Sequence, residues 1–158
     1  MGGYATVSEY LTPLKKYDTF QLMGFIKFYL LTFFLFFAID LVWLGVIAKN
    51  LYRQEIGFLM TDQIRWGAAL VFYLLYILGL VIFVILPSFH KGSPTSALLL
   101  GALFGLICYA TYDLTNLATL KGWPVRIVIY DLLWGAFISG ITSFLVTWIS
   151  LNLKPFFK

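Results

Sequence analysis

The stretch GAALVFYLLYILGLVIFVIL, residues 67–86, runs for 20 positions without one charged side chain. At 1.5 Å rise per residue, a helix of that length matches the roughly 30 Å hydrocarbon core of a bilayer. Three further runs meet the same length test, at about 25–47, 97–120 and 124–151. The fold class that follows is all-α: a polytopic membrane protein built as a four-helix transmembrane bundle. Composition agrees. The 158 residues are 61% hydrophobic and 11% charged, with a mean hydropathy of +0.92, whereas soluble domains carry about 25% charged residues. A water-soluble globule and a disordered chain are excluded, and too little length remains for a soluble catalytic module.

Working outward from the spans, residues 1–24 place Tyr4, Val7, Leu11, Leu14 and Tyr17 at helix-like spacing around Lys15 and Lys16, which reads as an interfacial segment or a tail. Residues 25–151 form the membrane domain and 152–158 a C-terminal tail. The first apolar run, near Phe25, starts too late and runs too long for a cleaved leader. Leu86-Pro87 and then Lys91-Gly92-Ser93-Pro94 read as a break of about ten residues between the second and third spans. Gly122 is placed to end the third helix and Pro124 to open the fourth, so these two must be neighbours. The net charge of +4 is scattered over every polar segment, which fits contact with membrane lipid headgroups and excludes a nucleic-acid footprint. The side holding both termini carries six Lys or Arg residues against five on the other, a vote for cytoplasmic termini.

Charges inside spans are costly and therefore informative. Asp40, Asp113 and Asp131 are the three acidic residues there, and counting along their helices puts all three at one level, roughly 10 Å below the face carrying loops 48–66 and 121–124. Ala97, Gly101, Gly105, Tyr109 and Asp113 recur every four residues, as do Asp131, Gly135, Ser139, Ser143 and Thr147. Small residues at that period let two helices approach closely, and if the two stripes meet, Asp113 faces Asp131. Tyr109, Tyr112, Thr115 and Asn116 surround Asp113, while Trp43 and Trp134 stand three residues after Asp40 and Asp131. Arg65, Arg126 and Lys121 lie on the same side and have the length to reach down toward the carboxylates. Trp66 and Trp123 read as interfacial belt residues, and His90 as a solvated loop residue.

Several of these residues carry a resemblance. Asp40-Leu-Val-Trp-Leu-Gly45, Tyr112-Asp-Leu-Thr-Asn-Leu-Ala-Thr119, Trp123-Pro124 and Asp131-Leu-Leu-Trp-Gly135 are similar to the signatures of a family of small bacterial membrane proteins classed as a domain of unknown function. The similarity spans about residues 25–150. It implies four helices and a multi-pass place in the bacterial inner membrane, and brings no activity with it.

One loop histidine and one cysteine, Cys108, leave no ligand set for haem, zinc or an iron–sulfur cluster. Carboxylates and hydroxyls suit protons, amines, polar headgroups and hard divalent cations such as Mg²⁺ or Ca²⁺, for which Asp40, Asp113 and Asp131 would be the ligands. The leading expectation is a protein that binds or transports a proton, a cation or a small polar ligand at this aspartate cluster. Four helices are few for a complete pathway, so a homodimer is expected with it. The alternatives are a membrane-embedded enzyme or accessory factor acting on lipid, with the aspartates as metal ligands or general acid and base, and a structural subunit in which they serve as interhelical glue.

Overall fold

The computed structural model describes residues 7–61 and 63–153, and among these the side chains of 22–46, 48–61 and 63–153. Helix α1 (Val7–Val42) passes through a widened π-type turn (Trp43–Ile47) into the short α2 (Ala48–Ile56). Helix α3 (Trp66–Leu80) passes through a second such turn (Val81–Ile85) into α4 (Leu86–Lys91), and α5 (Pro94–Thr119) and α6 (Val125–Asn152) complete the chain. Four segments are long and apolar enough to span a membrane: Leu22–Val46, Trp66–Lys91, Pro94–Thr119 and Val125–Asn152. The protein is a four-helix membrane bundle. Segment 1–24 is helical from Val7 and continuous with the first span; residues 1–6 and the side chains through 21, on which its interfacial reading turned, lie outside the described residues, as do residues 154–158.

The second span runs further than the sequence reading, which ended it at Leu86. Pro87 does not break it. In a regular helix the proline ring would clash with the carbonyl four residues back, but the turn just before it is widened, with the Leu86 N–H bonded to Val81 O. Reversal falls instead at Gly92, whose φ of 70° is the left-handed value that favours glycine. Ser93 then caps α5 by accepting from the Ser96 N–H at 3.2 Å. His90, expected in a loop, sits in the last turn of α4 and is exposed.

Helix α6 is the centre of the bundle and shares its most extensive interface with α5. Lipid tails are as apolar as leucine, so little hydrophobic gain drives helices together within a membrane, and close packing must do so. The two small-residue stripes do meet. A Cβ added to Gly101 would lie 2.6 Å from the Ser139 carbonyl oxygen, one on Gly105 would collide with the Gly135 carbonyl, and one on Gly135 would strike the Tyr109 ring. On the other side of α6, Phe28, Phe36, Ile77, Leu80, Val81 and Ile85 pack with Ile138 and Val146 into the apolar core. The Tyr29 hydroxyl ties α1 to α3 by donating to the Leu74 carbonyl at 2.9 Å.

The glycine contacts can be tested by adding one methyl group. Gly105→Ala is expected to destabilise the bundle by about 1–3 kcal/mol through overpacking, while Gly45→Ala, with nothing within 4 Å of its new Cβ, leaves the unfolding midpoint in detergent unchanged.

Candidate functional site

The three aspartates are all buried, and each meets a different environment. Asp40, on α1, is 5% exposed. It accepts the Tyr73 hydroxyl of α3 on Oδ2 at 2.5 Å and the Trp134 indole N–H of α6 on Oδ1 at 3.1 Å. One carboxylate therefore fastens three helices, with both oxygens engaged.

Asp131, on α6, accepts the Tyr52 hydroxyl of α2 on Oδ1. Burial, and after it the bond to Asp131, pushes the Tyr52 phenol above its ordinary range, so it remains a donor at any physiological pH. The π-type turn after Asp40 carries Trp43, whose ring lies flat on Trp134 with centroids 4.4 Å apart and planes 8° from parallel. The two Asp-x-x-Trp repeats thus meet through their tryptophans. The Trp43 indole nitrogen is buried without a hydrogen-bond partner.

Asp113, on α5, is fully buried at 0% exposure, and neither of its carboxylate oxygens has a hydrogen-bond partner. The Asp131 carboxylate acts on it electrostatically, and the Trp123 indole is its nearest hydrogen-bonding group, outside full hydrogen-bond geometry. Trp123 was expected at the membrane interface, but it is buried at 8% exposure and packs edge-on to Tyr112, at 5.8 Å between centroids; the tight 121–124 turn keeps it against α5. Its indole nitrogen, too, has no hydrogen-bond partner. Trp66, by contrast, is 73% exposed.

The other residues singled out by sequence divide into those drawn in and those left out. Tyr109 leans on Gly135 and packs edge-on to Tyr76, 6.3 Å between centroids. Tyr112 is 61% exposed and Asn116 half-buried beside it. Thr115 turns its hydroxyl back to the Thr111 carbonyl of its own helix and does not join the site. Neither arginine reaches down. Arg126 pairs with Glu55 of α2 at 3.1 Å, with its side chain 61% exposed, and Arg65 is exposed at the start of α3. Lys121 is exposed as well.

The idea of one divalent site held by Asp40, Asp113 and Asp131 is corrected by this geometry. Among the described residues no three His, Cys, Asp or Glu side chains come together as a cation-ligating group, and both oxygens of Asp40 are already taken by Tyr73 and Trp134. Sequence reasoning also missed Tyr52 and Tyr73, the donors to two of the three aspartates. A signal existed in Tyr73, which lies about 10 Å into its span and so at the depth of Asp40.

Residues 25–148 match the model of a family described as a predicted membrane protein, DUF2177. The chain belongs to this family. The DUF2177 match covers all three aspartates, their tyrosine and tryptophan partners and the α5–α6 contact, and leaves out residues 1–24. No curated protein and no solved structure matches the chain.

Two variants separate the buried and the exposed polar pairs. Tyr73→Phe leaves Asp40 Oδ2 without its donor and is expected to cost about 1–3 kcal/mol; combined with Asp40→Asn, the two losses should be less than additive in a double-mutant cycle read by unfolding in detergent. Arg126→Gln, which breaks an exposed pair, is expected to change stability by no more than about 1 kcal/mol.

Proposed function

We propose that this protein binds a monovalent cation inside the membrane at Asp113, in exchange with a proton, with Asp131 as the second carboxylate of the site. The observation that carries this reading is the fully buried Asp113 carboxylate, both oxygens unpartnered. A carboxylate at this depth cannot stay ionised and alone. It takes up a proton, gathers water, or pairs with a cation, and exchange among these states is the chemistry on offer.

The surroundings favour one kind of cation. Mg²⁺ and Ca²⁺ want about six to eight oxygens in an ordered shell, whereas Asp131 is already engaged by Tyr52 and the rest of the level is aromatic. Trp43, Trp134, Trp123, Tyr109 and Tyr112 offer π-faces, which suit a weakly hydrated ammonium group. Asp40, saturated by Tyr73 and Trp134, is the one aspartate for which interhelical glue is the better account. Helix α2 covers the site by way of Tyr52, so exchange with water passes its edge. Placement in the bacterial inner membrane with cytoplasmic termini, contact with lipid, and a homodimer that completes a pathway belong to the same reading.

Thermal unfolding of the purified chain in detergent over pH 5–9, with tetramethylammonium, Na⁺ or Mg²⁺, tests it. Tetramethylammonium is expected to raise the midpoint, more at high pH than at low because the proton competes, with a gain in unfolding free energy of up to about 2.7 kcal/mol at 100 times its Kd. Asp113→Asn should be at least as stable as the wild type and lose that response. Collapse of Asp113→Asn, together with a wild type that no cation stabilises at any pH, would leave Asp113 as packing alone.

A further inference from the structure

Helices α3 and α5 part at mid-membrane, leaving a half-enclosed cavity of ≈ 400 Å³ lined by Phe72, Tyr76, Cys108, Tyr109 and Tyr112. Phe72 and Tyr76 lie in the first half of the span Trp66–Lys91, and Cys108 lies 11 residues before the end of α5 at Thr119. At 1.5 Å per residue this places the cavity roughly 9–17 Å from the face near the aspartates, inside the hydrocarbon layer. Phe72 is 48% and Tyr112 61% exposed, so its mouth opens sideways. What enters through such a mouth comes from the acyl-chain region of the bilayer.

The cavity does not stand apart from the aspartate site. Tyr109 lines it and lies one helical turn below Asp113 on the same face of α5, and Tyr112 is the residue just before Asp113. The apolar slot therefore lies within one turn of α5 from a buried carboxylate whose two oxygens have no hydrogen-bond partner. Among the described cations near that face, Arg126 is held by Glu55, and Lys49, Arg53, Arg65 and Lys121 are exposed. A ligand that satisfies both ends needs an alkyl chain for the slot and a positive headgroup for the acid.

We infer that the ligand of the aspartate site is a single-chain cationic amphiphile, an alkylammonium, whose chain lies between α3 and α5 and whose headgroup sits at Asp113 among the aromatic rings. This rests on the cation-binding reading above and names its ligand class. Volume supports it, since pockets of about 300–1,000 Å³ hold small organic molecules and are mostly apolar with a few fixed polar groups.

The test fills the slot and leaves the acid alone. Kd values for tetramethylammonium, dodecyltrimethylammonium and dodecyl sulfate are measured by thermal-shift titration on the full chain in detergent, for the wild type and for Cys108→Phe. Overpacking the slot should weaken dodecyltrimethylammonium by about tenfold or more and leave tetramethylammonium unchanged. Phe72→Trp, which narrows the mouth from the lipid side, serves if Cys108→Phe does not fold. Equal affinity of wild type and filled variants for dodecyltrimethylammonium would overturn the inference while tetramethylammonium binding keeps the site. Dodecyl sulfate binding with the same dependence on Cys108 would also overturn it, because the slot would then take any chain. If neither cation binds the wild type, the site reading falls with it.

Discussion

The backbones of α5 and α6 meet at Gly105 and Gly135, where not even a methyl group would fit, and the rest of the aspartate level depends on that contact. Two helices in lipid gain little by hiding apolar side chains, so their association rests on close approach and on polar contacts between them. Glycine permits the approach. It sets Asp113 of α5 beside Asp131 of α6 and presses the Tyr109 ring against α6 one turn below. Beneath, Ser139 bonds the Tyr76 hydroxyl at 2.7 Å, which joins α3 to the same seam. At Gly101 and Gly105 the nearest atoms across the seam are backbone carbonyl oxygens, and at Gly135 the Tyr109 ring.

Given that packing, the bundle must deal with three buried carboxyl groups, and it does so unequally. Asp40 has a donor on each oxygen, Asp131 has a tyrosine on one, and Asp113 has none. Interiors usually satisfy their polar groups, and exceptions concentrate where a protein does something. The indole nitrogens of Trp43 and Trp123 are likewise without partners. Buried hydroxyls without partners also occur at Ser88 and along α6, but Asp113 is the one buried carboxylate among the described residues with no hydrogen-bond donor on either oxygen, and that separates it from ordinary membrane glue.

Much of this was legible in the residues. The spans follow from uninterrupted apolar length, the α5–α6 seam from small residues every fourth position, and the burial of the aspartates from their place inside apolar runs. The two Asp-x-x-Trp repeats meet through their tryptophans, since Trp43 and Trp134 stack on each other. Helix rotation was not legible, for a physical reason. A soluble helix marks its inner face by hydrophobicity, but here the lipid-facing and inward-facing sides are equally apolar. Hence Tyr73 and Tyr52 could not be assigned to Asp40 and Asp131, and Trp123 could not be told from a belt residue. The arginines went astray in another way: length alone would let them reach the carboxylates, but Glu55 offers Arg126 a partner in a wetter place, where neither charge must leave water.

The central claim is that Asp113 is a free acid whose proton and cation compete. It is tested most directly by measuring protons released when tetramethylammonium is added to the purified protein in weakly buffered detergent solution. The account expects a release that saturates with cation binding in the wild type and is absent in Asp113→Asn. Cation binding without proton release, or the same release from Asp113→Asn, would contradict it.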